Sequence, residues 1–246
     1  MKKFLLLLFL TIFSCGGSSS IQNTLKNLKG SILFAYNYNS TLWQSIESAP
    51  SGNKTVFVVV NPDDGPGTQT DPLYSNFINE LIKTGKIPLA YIYTNYAQRD
   101  ITSVEADVNT WLELYPEVKG FFFDEVSDSE EDLSYYERLE NYIRAKGNYY
   151  IVLNPGTNVP EGYFEISDVV ITYEDSAENI ENYVPPPLYI KNACVIYGVS
   201  DNLWKEVFNE FKTKCAYLFI TNGTLPNPYS ELPDYFEEEM KNIEEN

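Results

Sequence analysis

The chain has 246 residues and is strongly acidic, with 35 Asp and Glu against 17 Lys and Arg and a formal charge of −18. Nucleic acids and anionic lipid surfaces are therefore not expected as partners, because both carry negative charge themselves. The sequence contains no histidine, which excludes Ser-His-Asp and Cys-His nucleophilic systems, histidine metal sites and histidine general bases.

The N-terminus has the features of an export signal. Two lysines precede an apolar run, Phe4 to Phe13, which is much shorter than the roughly 20 residues that span a bilayer. The segment Ile12 to Cys15 resembles the lipobox of bacterial lipoproteins, and an ordinary signal peptide cut nearby is the alternative. We expect a signal peptide at residues 1–14 and a lipidated Cys15 at the head of a flexible tether, 15–30. The folded domain would then be anchored outside the cytoplasm, in the cell envelope or at the surface.

Beyond the tether, apolar runs of strand length alternate with helical segments. The predicted strands are Ser31–Asn39, Lys54–Asn61, Pro88–Thr94, Val118–Phe123, Tyr149–Leu153, Val169–Tyr173, Cys194–Val199 and Cys215–Thr221. Helices are predicted near Trp43, at Tyr74–Thr84, Ile101–Tyr115, Leu133–Ala145 and Leu203–Lys212, and at the charged C-terminus. The segment between the sixth and seventh strands is poor in helix signals. Eight strand-helix repeats predict an α/β fold, a single (β/α)8 TIM barrel over residues 31–246, with a doubly wound open sheet as the alternative.

Polar side chains follow the carboxyl ends of these strands, where parallel α/β folds bind their ligands. In VKGFFFDE, residues 118–125, a buried run ends in Asp124 and Glu125. An isolated strand-end Asp is usually a turn or cap residue. Several carboxylates at one rim, however, repel each other and raise a pKa, which produces a general acid. The residues expected at this mouth are Tyr36, Tyr38, Asn61, Asp63, Asp64, Tyr91, Tyr93, Thr94, Asp124, Glu125, Asn154, Glu174 and Asp175.

Six segments, in order, resemble spherulation-specific family 4, the spherulin-like group classed with glycoside hydrolase family 135. They are NPDDGPG (61–67), AYIYTNYAQRD (90–100), GFFFDE (120–125), VLNPGT (152–157), ITYED (171–175) and NPYSELPDYF (227–236). The resemblance implies a (β/α)8 barrel and endo-acting cleavage of α-1,4-linked galactosamine or N-acetylgalactosamine polymers. Family 114 polygalactosaminidases resemble the same group.

The resemblance also implies site residues. The family's acidic residues fall on Asp124, Glu125 and Glu174, and its pocket positions fall on Tyr36, Asn61, Asp63, Tyr93 and Asn154. Tyr38 and Thr94 join the predicted binding residues as strand-end neighbours. No metal or cofactor is expected, and a monomer is expected.

Glycoside hydrolysis needs one carboxyl group to protonate the leaving oxygen and a second to stabilise or attack the sugar. Glu174 is predicted as the acid and Asp124 as the nucleophile or orienting base, although the two roles are interchangeable at this stage. An N-acetyl group on the sugar would itself supply the nucleophile, with Asp124 orienting it. Strand alternation would point Glu125 away from the mouth unless the strand has already ended.

Two other readings remain open from the sequence. The barrel would be a carbohydrate-binding or matrix protein if it had lost turnover, with the aromatic mouth as its groove. A Ca²⁺ or Mg²⁺ site at Asp63, Asp64 and Asp124 is a weaker reading, because no EF-hand-type spacing supports it.

A disulfide is predicted between Cys194 and Cys215. Each cysteine opens a predicted strand, and neighbouring strands lie roughly 5 Å apart. Disulfides need Cα separations of about 4.4–6.8 Å, which a level register would provide. An oxidising compartment permits the bond, and two separate buried thiols are the alternative.

Overall fold

The computed structural model describes residues 27–36 and 38–246, which are organised around a closed barrel of eight parallel strands. Each strand pairs with the next along the chain, and the last pairs with the first. The strands are β1 (Gly30–Ala35), β2 (Thr55–Val60), β3 (Ile87–Tyr93), β4 (Gly120–Asp124), β5 (Tyr150–Leu153), β6 (Val169–Ser176), β7 (Asn192–Tyr197) and β8 (Tyr217–Ile220). The predicted (β/α)8 barrel is confirmed, and the open sheet is wrong.

Helices surround the barrel. They are α1 (Ser40–Ser48), α2 (Pro72–Lys83), α3 (Ile101–Leu114), α4 (Leu133–Arg144), α5 (Gly162–Glu165), α6 (Trp204–Phe211) and α7 (Phe236–Glu245). Short 3-10 turns occupy Glu130–Asp132, Ala177–Asn182 and Tyr189–Lys191. The chain between β6 and β7 therefore lacks an α-helix, as predicted.

The first three helices begin where a polar side chain caps free backbone N–H groups. Asn39, Asp71 and Asp100 accept such bonds at the starts of α1, α2 and α3. These caps end the strand-to-helix loops and so fix the lengths of those loops at the mouth. Within the described ranges, every helix is too short or too polar to cross a membrane. The predicted signal peptide and Cys15 lie outside the described residues.

The strands are apolar on both faces because helices cover one face and the barrel interior covers the other. Inside the barrel the packing is largely aromatic. The ring of Phe34 lies 5.8 Å from that of Phe122, 6.1 Å from that of Phe219 and 4.3 Å from that of Tyr229. This layer forms the floor beneath the barrel mouth.

A bulge in β6 decides where Glu174 points. The register between β6 and β7 shifts around Thr172. Thr172 and Tyr173 are consecutive, yet both contact Tyr183, the first through hydroxyls 2.7 Å apart and the second through rings 5.0 Å apart. Consecutive residues of a regular strand face opposite sides. The extra residue in the bulge keeps both on the outer face and turns Glu174 inward.

Cys194 and Cys215 form a disulfide with a Cα separation of 5.9 Å, which confirms the predicted pair. The positions differ from the prediction in detail. Cys194 lies within β7 rather than at its start, and Cys215 lies in the turn before β8. The bond therefore joins β7 to the entrance of β8, and both sulfur-bearing residues are buried.

Candidate active site

One amide bridges the two carboxylates at the centre of the mouth. Nδ2 of Asn154 donates to Oδ1 of Asp124 at 2.8 Å and to Oε2 of Glu174 at 2.5 Å. The two acceptor oxygens can be no further apart than these distances laid end to end, which is about 5.3 Å. Asn154 follows β5, which lies between β4 and β6. The strand order therefore brings the three predicted residues together.

A tyrosine holds the second oxygen of each carboxylate. The hydroxyl of Tyr91 donates to Oδ2 of Asp124 at 3.0 Å. The hydroxyl of Tyr229 donates to Oε1 of Glu174. Each carboxylate therefore accepts one bond from a tyrosine and one from the shared amide. This arrangement fixes the orientation of both groups through neutral donors.

The surroundings of the pair distinguish the two carboxylates. Burial raises the pKa of Glu174, and the nearby charge of Asp124 raises it further, whereas hydrogen bonds from Tyr229 and Asn154 lower it. Burial also raises the pKa of Asp124, against lowering hydrogen bonds from Tyr91, the backbone of Glu125 and Asn154. Asp124 has more donors that stabilise its ionised form. The two carboxyl groups titrate as a pair, and these donors favour the ionised form of Asp124.

Glu125 lies one residue beyond the end of β4 and has a φ of 50°. Because the strand has ended, the alternation rule no longer governs its direction. Its carbonyl accepts bonds from the Thr94 hydroxyl at 2.8 Å and the Tyr96 N–H at 2.6 Å. Burial, followed by the charges of Asp124 and Asp64, raises the pKa of the Glu125 carboxyl. The Glu125 carboxyl is therefore within electrostatic reach of Asp124 and Asp64 at the mouth.

Comparison with known proteins gives this site its family context. Residues 32–243 match the profile of the family described as Spherulin4, spherulation-specific family 4. The chain belongs to spherulation-specific family 4. Spherulin-4 of Physarum polycephalum is 34% identical over 149 residues, which make up 60% of this chain and 45% of that protein. The chain thus spans less than half the length of that relative.

One solved structure shows the same fold as this spherulation-family chain. The crystal structure of Aspergillus clavatus Sph3 in complex with GalNAc has a TM-score of 0.79 at 21% identity, covering 89% of this chain and 99% of that one. A Rhizomucor miehei chitinase is 9% identical, with a TM-score of 0.48 over 87% of this chain and 99% of that chain. The likeness to Sph3 is one of fold.

Other predicted residues of this family member shape the mouth from beneath. Tyr36 is partly exposed, and its ring lies 5.4 Å from that of Tyr91. Burial, then the charges of Asp124 and Glu174, raises the pKa of Tyr36 well above its ordinary value. Thr94 is fully buried, and its hydroxyl also bonds to the Asp124 carbonyl at 3.2 Å. Thr94 therefore anchors the end of β4, and the binding role that the sequence predicts for it stays a prediction.

The remaining predicted binding residues contact the loops around the pair. Oδ1 of Asn61 accepts the N–H of Gly65 at 2.8 Å, so this amide closes its own loop. The Asp63 N–H donates to the carbonyl of Gly65 at 3.4 Å in the same loop. Tyr38 packs its ring edge against Trp43, and Tyr93 lies beneath the guanidinium of Arg99. Within the described ranges, these contacts are with neighbours and not with the carboxylates.

Asp175, the residue after Glu174, points elsewhere. Its carboxylate accepts bonds from the Ser176 N–H at 2.6 Å and the Asn179 side chain at 2.9 Å. In residues 27–36 and 38–246, no group of three or more Cys, Asp or Glu side chains is arranged to hold a metal ion.

Sequence reasoning missed Tyr229. This residue lies in the long loop after β8, within the NPYSELPDYF segment that carries part of the family resemblance. Its position in that segment was the available signal. Tyr91 was placed at the mouth by the strand pattern but was not included among the binding residues.

Proposed function

We propose that this protein is a lipid-anchored, endo-acting glycoside hydrolase that works outside the cytoplasm. Its substrate would be an α-1,4-linked galactosamine or N-acetylgalactosamine polysaccharide. The observation that carries the proposal is the amide of Asn154 shared between Asp124 and Glu174 at a barrel mouth. Family membership and the GalNAc complex of the Sph3 barrel support the sugar class.

In this mechanism Glu174 holds the proton and transfers it to the glycosidic oxygen as the bond breaks. Asp124 remains ionised and faces the anomeric carbon, where it attacks or stabilises the oxocarbenium-like centre. On an N-acetylated α-linked sugar, the acetamido group lies cis to the leaving oxygen and cannot attack from behind, so Asp124 keeps its role there. The Asn154 amide keeps both carboxylates in position throughout the reaction.

The spacing of the pair supports retention of the anomeric configuration. The facing oxygens are separated by no more than about 5.3 Å. Retaining enzymes separate their carboxyl groups by roughly 5–5.5 Å, whereas inverting enzymes use roughly 6.5–9.5 Å to admit a water. Attack by Asp124 forms a glycosyl-enzyme, and attack of water on that intermediate restores the original configuration. We therefore expect the first product to keep its α-configuration, which NMR of early digests will measure.

The central test is a pair of nearly isosteric variants, Asp124→Asn and Glu174→Gln. Each should reduce kcat on galactosamine polymers by about 10²–10⁴-fold, the range that general acid-base groups contribute. The unfolding temperature should remain close to that of the wild type.

Asp175→Asn is the matched control, because it makes the same change beside Glu174 on a side chain that bonds to Ser176 and Asn179. It should retain wild-type turnover. Glu125→Gln separates the roles of the adjacent acids: a loss as large as that of Asp124→Asn would assign Glu125 to the chemistry. Wild-type rates in both central variants would refute the catalytic proposal, and polymer binding without cleavage would support the binding-protein reading.

The membrane anchor is proposed from the lipobox-like segment Ile12 to Cys15. Cys15→Ser should move the protein from the membrane fraction to the soluble extracytoplasmic fraction, because the lipid would be its only attachment. Labelling with a fatty-acid analogue should be lost in the same variant. Unchanged fractionation would contradict lipidation.

A further inference from the structure

Three consecutive residues beside the pair adopt a backbone conformation that L-amino acids rarely take. Asn95, Tyr96 and Ala97 have φ values of 48°, 54° and 63°. Asn tolerates the left-handed region. In Tyr and Ala this conformation costs free energy, because Cβ lies too close to the following carbonyl oxygen. Strain of this kind persists only where the surroundings hold it, and it concentrates at functional sites.

The strained segment is held against the end of β4. The Tyr96 N–H donates to the carbonyl of Glu125 at 2.6 Å. Arg99 holds the turn from the other side. Its backbone N–H donates to the carbonyl of Thr94 at 3.2 Å, and its guanidinium donates to the carbonyl of Tyr93 at 2.9 Å. The turn is therefore fixed to the residue that follows Asp124.

The turn presents an aromatic ring at the mouth. The Tyr96 side chain is 54% exposed, whereas the tyrosines that hold the carboxylates are buried. Partial burial and then the charges of Glu125, Asp124 and Glu174 raise the pKa of Tyr96. The ring is thus exposed to solvent and within electrostatic reach of all three acids.

We propose that Tyr96 is the stacking platform of a sugar subsite next to the scissile bond. The ligand would be a hexosamine unit of the polymer, whose apolar C–H face covers the Tyr96 ring while Glu125 accepts hydrogen bonds from its polar groups. An aromatic ring provides a large, rigid contact surface for such a face. This subsite rests on the proposed function, and it explains why the chain keeps a strained, exposed tyrosine.

Three substitutions at one position test the subsite in the full chain. Tyr96→Ala removes the ring and should raise KM for galactosamine oligomers by about tenfold, the change expected for one lost aromatic contact. The kcat value should fall much less. Tyr96→Phe keeps the ring and should keep the wild-type KM. Tyr96→Gly removes both ring and strain, so it should match Ala in KM without lowering the unfolding temperature.

Tyr150→Ala is the matched control. Tyr150 is also an exposed tyrosine, at 40%, but it is the first residue of β5 and so lies at the opposite end of the barrel. It should leave KM unchanged. The same oligomers are titrated against the Glu174→Gln variant with and without Tyr96→Ala, which measures affinity independently of turnover.

The outcomes separate the subsite from the proposed function. If the wild-type enzyme is active and Tyr96→Gly keeps the same KM and affinity, the subsite is refuted and the proposed glycosidase activity stands. Affinity that falls with Tyr96→Ala in a protein without turnover would support the subsite and refute the enzyme. Absence of both binding and cleavage by the wild type would overturn both.

Discussion

At the residue scale, the site depends on the orientation of one amide. Oδ1 of Asn154 accepts the N–H of Gly156 at 3.1 Å, so Nδ2 must face the carboxylates. Gly156 has a φ of 66°, which suits glycine, and its carbonyl accepts the N–H of Glu174 at 3.0 Å. The NPGT segment therefore positions both the bridging amide and one of the bridged acids.

The tyrosine partners allow the roles of the acids to be tested by pH. The hydrogen bond from Tyr229 lowers the pKa of Glu174, so Tyr229→Phe should raise that pKa. If the general acid stays protonated to higher pH, the enzyme stays active to higher pH. We expect the basic limb of the kcat/KM profile to move to higher pH in this variant, with the acidic limb unchanged.

Tyr91→Phe is the complementary variant. The hydrogen bond from Tyr91 lowers the pKa of Asp124, so its loss should move the acidic limb of the same profile to higher pH. In each variant, the limb of the pH profile that moves identifies the carboxyl group whose titration produces that limb. If Tyr229→Phe moves the acidic limb instead, the roles of Asp124 and Glu174 must be exchanged.

At the element scale, the strands could be predicted because both of their faces are buried. The prediction Lys54–Asn61 and the observed β2, Thr55–Val60, differ by one residue at each end. β6 differs more, since the apolar run stops at Tyr173 while the strand continues to Ser176. Hydrophobic pattern shows where a strand is buried, but it does not show a bulge. The strand-end pattern placed Glu174 at the mouth and the family resemblance suggested its role, but neither showed the bulge that turns it inward.

The conformations of the loops around the site could not be predicted from the sequence. The loop after β8 folds back on itself at Gly223, where an added Cβ would lie 2.0 Å from the carbonyl oxygen of Pro228. This close approach precedes Tyr229 and directs it into the mouth. The Thr94 hydroxyl likewise reaches the neighbouring strand, where it bonds to the carbonyls of Asp124 and Glu125. Both outcomes depend on contacts between distant segments, which local pattern does not encode.

At the scale of the whole molecule, the last strand closes the barrel and is held at both ends by side chains. The disulfide joins β7 to the turn before β8. At the other end, Oε1 of Glu239, on α7, accepts the N–H of Ile220 at 2.8 Å. Glu239 is fully buried, and its Oε2 has no hydrogen-bond partner in the described part of the chain. A carboxylate in that position makes the fold sensitive to pH.

Burial raises the pKa of Glu239 well above its ordinary value, against a smaller lowering by the Ile220 N–H. The folded state thus binds this proton more tightly than the unfolded chain, in which a Glu has a pKa of about 4.3. The contribution to stability is complete below the unfolded pKa and is lost as pH rises toward the folded one. Over that window the free energy of unfolding should fall by up to about 1.4 kcal/mol per pH unit from this group.

Glu239→Gln should remove this dependence, because the amide keeps an acceptor for Ile220 and cannot ionise. Urea unfolding at a series of pH values measures the slope in the variant and the wild type. Glu238→Gln is the matched control, since Glu238 lies on the same helix in an exposed ion pair with Lys205 at 2.7 Å, and such pairs contribute little to stability. A variant slope equal to that of the wild type would mean that Glu239 ionises freely in the folded protein, and that the contact between α7 and β8 opens to water as it does so.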